Sequence, residues 1–184
     1  NGVTATNLTL RTTGLGSNIG TSTASRFVLQ ANVPTVNLVS DLGSVFATTA
    51  LAPTSTLTVS GSAGGANGDF DILGTGNVTV GNVTTTNGDI IIRTAVNRIT
   101  IAPNATLSAN GTTAGNGNIF LRVENTAKTA KTTSFITVGA GADLLTNAAA
   151  SPDGLITLSI GAVTAPVAGK QPKKGVVIQQ PSTG

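Results

Sequence analysis

Apolar residues along this chain come in short runs, not in helical stripes. Residues 90–93, 99–101, 105–108 and 119–123 are such runs, and Gly, Asn and Pro fill the gaps between them. Short apolar or alternating runs bounded by turn residues predict β-strands. The same reading predicts strands at 3–10, 26–29, 36–39, 44–47, 57–59 and 69–73. Within 3–10 the alternation slips at Asn7, which predicts a bulge or bend. A glycine-rich loop is expected over 61–68. Helical patterning is faint. Residues 124–131 are rich in Thr and Lys and read as a long polar loop, and 147–150 read as one helical turn before Pro152.

The strands recur at fixed offsets. Residues 99–107 align with 136–144 (136 − 99 = 37), and 119–123 align with 156–160 (156 − 119 = 37). Asn67-Gly68-Asp69-Phe70 returns as Asn87-Gly88-Asp89-Ile90 (87 − 67 = 20) and again as Asn116-Gly117-Asn118-Ile119 (116 − 87 = 29). An offset shared by strands and the loop between them indicates stacked coils of about 20 to 40 residues, in which strands hold register while loops vary. At about 25 residues per coil the chain makes roughly seven coils. With about 4.8 Å per coil, that is a rod of about 35 Å.

Composition points to the same architecture, an all-β parallel β-helix, or β-solenoid. Inward ladders of Val, Ile, Leu and Ala fill a narrow core, and the chain has five Phe but no Trp or Tyr. Outward threonines suit a strand and can bond along a ladder. Like charges stacked one above another repel, so charge must be sparse, and only 9% of residues are charged. Turns draw on Gly and Asn, which tolerate positive φ. A β-sandwich, the rival fold, would show hairpin turns and more aromatics.

Two regions are expected. Residues 1–164 form the β-solenoid. Residues 165–184 form an extended Pro/Lys linker, with Pro166, Pro172, Lys170, Lys173 and Lys174, and a last strand of Val176, Val177, Ile178 and Gln179. That strand either folds back to cap its own rod or pairs with a neighbouring subunit.

The net charge of +3 comes from ten basic and seven acidic residues, and three of the lysines lie near the C-terminus. The charge reflects scarcity of charged residues rather than a basic face, and aromatics for base stacking are few, so no nucleic-acid partner is expected. No run of 18 apolar residues would span a membrane, and no signal peptide is present. The absence of an initial Met reads as a processed or excised segment. The absence of Cys excludes disulfides and thiolate metal sites and fits an exported surface protein.

With no His and no Cys, Ser–His and Cys–His catalysis is excluded. Asp69, Asp71, Asp89 and Arg93 form the one acid–base cluster in the text, of the kind that polysaccharide-cleaving β-helices place in a groove. Asp69 and Asp89 also sit in Asn-Gly-Asp turns, where Asp is routine. Residues 64–69 nearly match the start of a Ca²⁺-binding nonapeptide, but without tandem copies and with Asp71 where an apolar residue belongs. If Asp69 and Asp89 stack, a cation could bridge them. Thr-x-Thr at Thr4, Thr21, Thr54 and Thr84 lacks the even spacing an ice-binding face needs. Asn7, Asn77, Asn82, Asn104 and Asn110 head Asn-x-Thr triplets, as chance allows in this composition. No catalytic, cofactor-binding or metal-ligating residue is assigned.

Residues 76–90 (Gly76-Asn77-Val78-Thr79-Val80 through Asn87-Gly88-Asp89-Ile90) resemble the repeats of filamentous-haemagglutinin-type exoproteins of two-partner secretion, as do residues 99–111. Residues 7–10 through 17–21 look like the coil-to-coil turn of those proteins. The likeness covers most of 1–161. It implies a right-handed parallel β-helix, a secreted or cell-surface setting, and a role in adhesion or display. The secretion domain near the N-terminus of such proteins is not evident, and with the Lys/Pro linker this favours a small self-contained subunit. The expectation is a non-enzymatic extracellular rod, without cofactors, that polymerises head to tail into a surface filament or adhesive fibre. The alternatives are a monomeric adhesin segment that binds host or neighbour-cell surface glycans, and a polysaccharide-cleaving β-helix.

Overall fold

A computed structural model describes residues 5–29, 33–52, 54–95, 98–113, 115–124, 134–148 and 154–160. Among these the chain is all-β, with fourteen strands and no helix. The strands are β1 (Asn7–Thr12), β2 (Phe27–Leu29), β3 (Thr35–Ser40), β4 (Val45–Thr49), β5 (Thr56–Ala63), β6 (Phe70–Gly74), β7 (Asn77–Thr85), β8 (Ile90–Thr94), β9 (Arg98–Ile101), β10 (Thr106–Gly111), β11 (Ile119–Val123), β12 (Phe135–Val138), β13 (Asp143–Ala148) and β14 (Ile156–Ile160).

They form two sheets in which every pairing is parallel. Sheet A runs β1-β3-β5-β7-β10-β13, with β9 also on β7 and β12 on β9, and sheet B runs β2-β4-β6-β8-β11-β14. The chain alternates between the sheets and adds one rung to each on every passage, as the expected parallel β-helix requires. The repeat offsets are the register. Ile136 pairs with Ile99, Ile156 with Ile119, Ile90 with Phe70 and Ile119 with Ile90.

Period-2 alternation turns one side of each rung inward, and register stacks those side chains into files. In sheet B, Val45, Phe70, Ile90 and Ile119 form one file and Ala47, Ile72, Ile92 and Leu121 another, all fully buried. In sheet A, Val36, Val59, Val80 and Ile101 stack the same way. Phe70 is the one aromatic ring buried in the core, in keeping with the narrow interior.

Hydroxyls take over where strands leave the sheets. Thr12, Ser40, Thr85 and Thr94 end β1, β3, β7 and β8, and each donates across the corner to a backbone carbonyl, of Ser17, Ser17, Gly88 and Gly76, at 2.6–2.7 Å. An inward polar atom is tolerated there because its partner is fixed.

Some boundaries differ from expectation. The first strand begins at Asn7, where the alternation was expected to slip, and continues unbroken to Thr12. β5 extends through Gly61, Ser62 and Ala63, so the loop expected at 61–68 starts later. Opposite Gly61 the partner strand β7 has a bulge between Val80 and Val83, which keeps the ladder going. Asn147 and Ala148 end β13 and do not open a helical turn, because pairing with Asn110 and Gly111 of β10 holds them extended. The linker and strand expected at 165–184, with Val176, Val177, Ile178 and Gln179, lie outside the described residues.

Candidate functional site on the outer face of sheet B

The four charged residues singled out in sequence divide between two places. Asp69 and Asp89 do stack on successive rungs, at the corner that precedes sheet B. There Asp69 Oδ1 accepts the Asp89 N–H at 2.9 Å, and Asp89 Oδ1 accepts the Asn118 N–H at 2.9 Å and Asn118 Nδ2 at 3.0 Å. The turn role of these aspartates is therefore realised as a ladder. No group of three or more acidic ligands occurs among the described residues. Burial raises the pKa of Asp69, the Asp89 N–H opposes that rise, and the carboxylates of Asp89 and Asp71 add to it.

Asp71 belongs elsewhere. It lies between inward Phe70 and Ile72, so its side chain faces outward, yet it is fully buried. Arg26, just before β2, covers it. Arg26 Nη2 donates to Asp71 Oδ2 at 2.6 Å, and its Nη1 donates to the Asp71 carbonyl at 3.0 Å and the Ala47 carbonyl at 3.3 Å. From the other side Arg93 Nη2 reaches Asp71 Oδ1 at 2.9 Å and Oδ2 at 2.8 Å. The Arg26 side chain is only 7% exposed. Two guanidiniums with added backbone acceptors compensate the desolvation of one carboxylate. Both Asp71 oxygens are occupied by these donors, an arrangement suited to a staple across rungs and not to a general base. Arg93 Nε is buried without a partner.

Register extends the cluster. One outward file of sheet B reads Phe46, Asp71, Ile91, Phe120, Thr157, and the next reads Thr48, Leu73, Arg93, Arg122, Ser159. Arg122 therefore lies directly beside Arg93, one rung on. It makes no hydrogen bond or ion pair with any described residue. A cavity of about 390 Å³ opens over this area, with Asp71, Ile91, Arg93, Phe120 and Arg122 in its wall; Thr23, Thr157 and Ser159 add hydroxyls. Three of the chain's five arginines gather here against one aspartate. Sequence reading identified Asp71 and Arg93 but missed Arg26 and Arg122. The second was signalled by the offset of 29, which sets Arg122 on Arg93.

Sheet A carries a different regularity. Thr35, Thr58, Thr79, Thr100 and Thr137 are register partners on successive rungs. This file was invisible as Thr-x-Thr because its regular step is in space, not along the chain. The file two residues before it reads Thr56, Asn77, Arg98, Phe135, with Arg98 4.9 Å from the centre of the Phe135 ring. Among the described residues no second threonine row is formed beside it.

Fold and surface together define a class, an all-β chain of two stacked parallel sheets with a cationic outer groove. A scan against family models, a search of curated proteins and a search of solved structures each find no match. No helix among the described residues is long and apolar enough to cross a membrane.

Proposed function

We propose that this chain is a right-handed parallel β-helix of the filamentous-haemagglutinin type, working outside the cell as a structural subunit that stacks end to end into a surface filament or adhesive fibre. The six rungs of sheet B are six of its coils. The reading requires no catalysis.

The observation that carries it is a contrast between middle and end rungs. In the file where Ile90 and Ile119 are fully buried, the last residue, Ile156, is 45% exposed. Phe27 stands at the other end, in the file of fully buried Ala47 and Ile72, and is 40% exposed. The core thus ends in apolar side chains at both ends of the described stack, beside strand edges that are unpaired among the described residues. A contact between unlike ends does not close on itself and so generates a filament.

Electron microscopy of the purified chain over a concentration series tests this. Fibres are expected, and Phe27→Asp and Ile156→Asp should each give short or single particles. A chain that stays monomeric at every concentration would remove the reading. Fibres of unchanged length after deletion of 165–184 would remove Val176, Val177, Ile178 and Gln179 as a latch between subunits.

A second reading, binding of surface glycans, draws on the cationic groove. It assigns the working surface to the sides of the rod and is compatible with stacking.

A further inference from the structure

We propose that the groove over β8, β11 and β14 is a subsite for an anionic sugar unit, one bearing a carboxylate or sulfate ester, with Arg122 as the residue that holds the acid group. The proposal rests on the glycan-binding reading and names its ligand.

Charge is the first argument. Arg26 and Arg93 already give Asp71 two counter-charges, and Arg122 adds a third guanidinium that no described residue neutralises. Adjacent rungs lie about 4.8 Å apart, and unscreened like charges at that spacing repel. An anion bound between the two arginines relieves this repulsion. A guanidinium offers paired N–H donors in a plane that match the two oxygens of a carboxylate or the edge of a sulfate. Asp71 holds the Nη2 of Arg93 through both its oxygens, so it acts as a positioning residue.

The walls supply the second argument. A bare anion needs only charge and N–H donors, whereas this groove also presents Phe120 and Ile91 beside the arginines and the hydroxyls of Thr157 and Ser159 beyond them. An apolar patch matches the C–H face of a sugar ring, and hydroxyls match its hydroxyls. The volume of about 390 Å³ falls within the roughly 300–1,000 Å³ of small-ligand sites. Aromatic carbon is scarce in this chain, and two of its five phenylalanines, Phe46 and Phe120, stand in the outward file that crosses this face.

The test is calorimetric titration of the full chain at low ionic strength with three oligosaccharides of equal length: an oligogalacturonate, a sulfated dextran oligomer and neutral dextran. Sodium sulfate is titrated alongside. An acidic oligomer should bind and the neutral one should not. Arg122→Gln should weaken the acidic ligand at least about tenfold, as loss of a charged partner does, and Arg122→Lys should retain part of the affinity. Melting temperature should be unchanged in both variants, because Arg122 bonds no other described residue. Phe120→Ala should weaken the oligosaccharide and leave sulfate unaffected. Equal binding of acidic and neutral oligomers, unaltered by Arg122→Gln, would overturn the acidic subsite and leave glycan binding standing. Binding of no oligosaccharide would overturn both. Sulfate binding as tight as the sulfated oligomer would reduce the groove to an ion site and overturn its assignment to sugars.

Discussion

Asp69 Oδ1 accepts a hydrogen bond at 2.9 Å from the backbone N–H of Asp89, the residue that occupies its own position one rung later. The same link joins Asn18 to Ser44 at 2.7 Å, Asp89 to Asn118 at 2.9 Å and Asn118 to Leu155 at 2.9 Å. Amide and carboxylate oxygens serve alike in this ladder, so its geometry does not need the charge of Asp69.

That equivalence sets a pH prediction. Burial raises the Asp69 pKa above its ordinary 3.8, so the folded chain binds a proton that the unfolded chain has released. Stability therefore falls as pH rises from 3.8 through the raised folded value, and the loss is complete above it. Asp69→Asn keeps the acceptor and removes the loss. The variant should melt higher than the parent at pH 7, and the gap should close as pH falls below 3.8. Melting curves over that range check it; a variant that melts lower at pH 7 would show that the charge is needed.

Asp71 should behave in the opposite way. Asp71→Asn leaves Arg26 buried without a counter-charge, and breaking such a pair costs about 3–5 kcal/mol. At about 2–4 °C per kcal/mol for a domain of this size, melting should fall by at least about 6 °C. The exposed pair of Arg11 and Asp41, with Nη2 and Oδ2 2.8 Å apart, is the control: Asp41→Asn should cost no more than about 1 kcal/mol. Similar losses in the two variants would refute the staple.

Position along the stack should grade the cost of core deletions. Ile92 is fully buried between Ile72 and Leu121, and Ile92→Ala should cost about 2–5 kcal/mol. Ile156→Ala removes a half-exposed side chain from the end rung, so it should cost no more than about 1 kcal/mol. Urea denaturation of dilute monomer measures both. Equal costs would mean that Ile156 is covered in solution.

Much of this fold was legible because a stacked coil writes its register into its sequence. The offset of 37 that aligns 99–107 with 136–144 is the same step that pairs Ile99 with Ile136 and Leu107 with Leu144, and β11 matches its predicted bounds at both ends. The site was only half legible. Arg93 and Asp71 were found as charges in a chain that has few. Arg26 was missed because it reaches Asp71 from 45 residues away, through a side chain that follows no repeat. Strand ends were misplaced where pairing with a neighbouring rung extends the chain past its apolar letters, as at Ser62 and Ala63 against Thr84 and Thr85.

The bulge in β7, opposite Gly61 of β5, supplies the last prediction. The register between β5 and β7 shifts between Val59 and Gly61, and Gly61 holds a φ of 149°. The extra residue lies in β7 between Val80 and Val83, and β7 bonds β9 before it and β10 after it, so the bulge marks the line along which sheet A later divides at Pro103 and Asn104. A Cβ on Gly61 would overlap the backbone carbonyl of Leu38 on the preceding rung. Gly61→Ala thus incurs a backbone cost of about 1–3 kcal/mol and must also push two rungs apart. Gly16 separates these contributions, because its φ is also positive, 68°, but a Cβ there meets open space. Gly16→Ala should cost about 1 kcal/mol, and Gly61→Ala clearly more, with wider separation of β3 from β5 and faster hydrogen exchange of the amides that pair them. Equal destabilisation would mean that φ alone is responsible and that the rungs have room to spare.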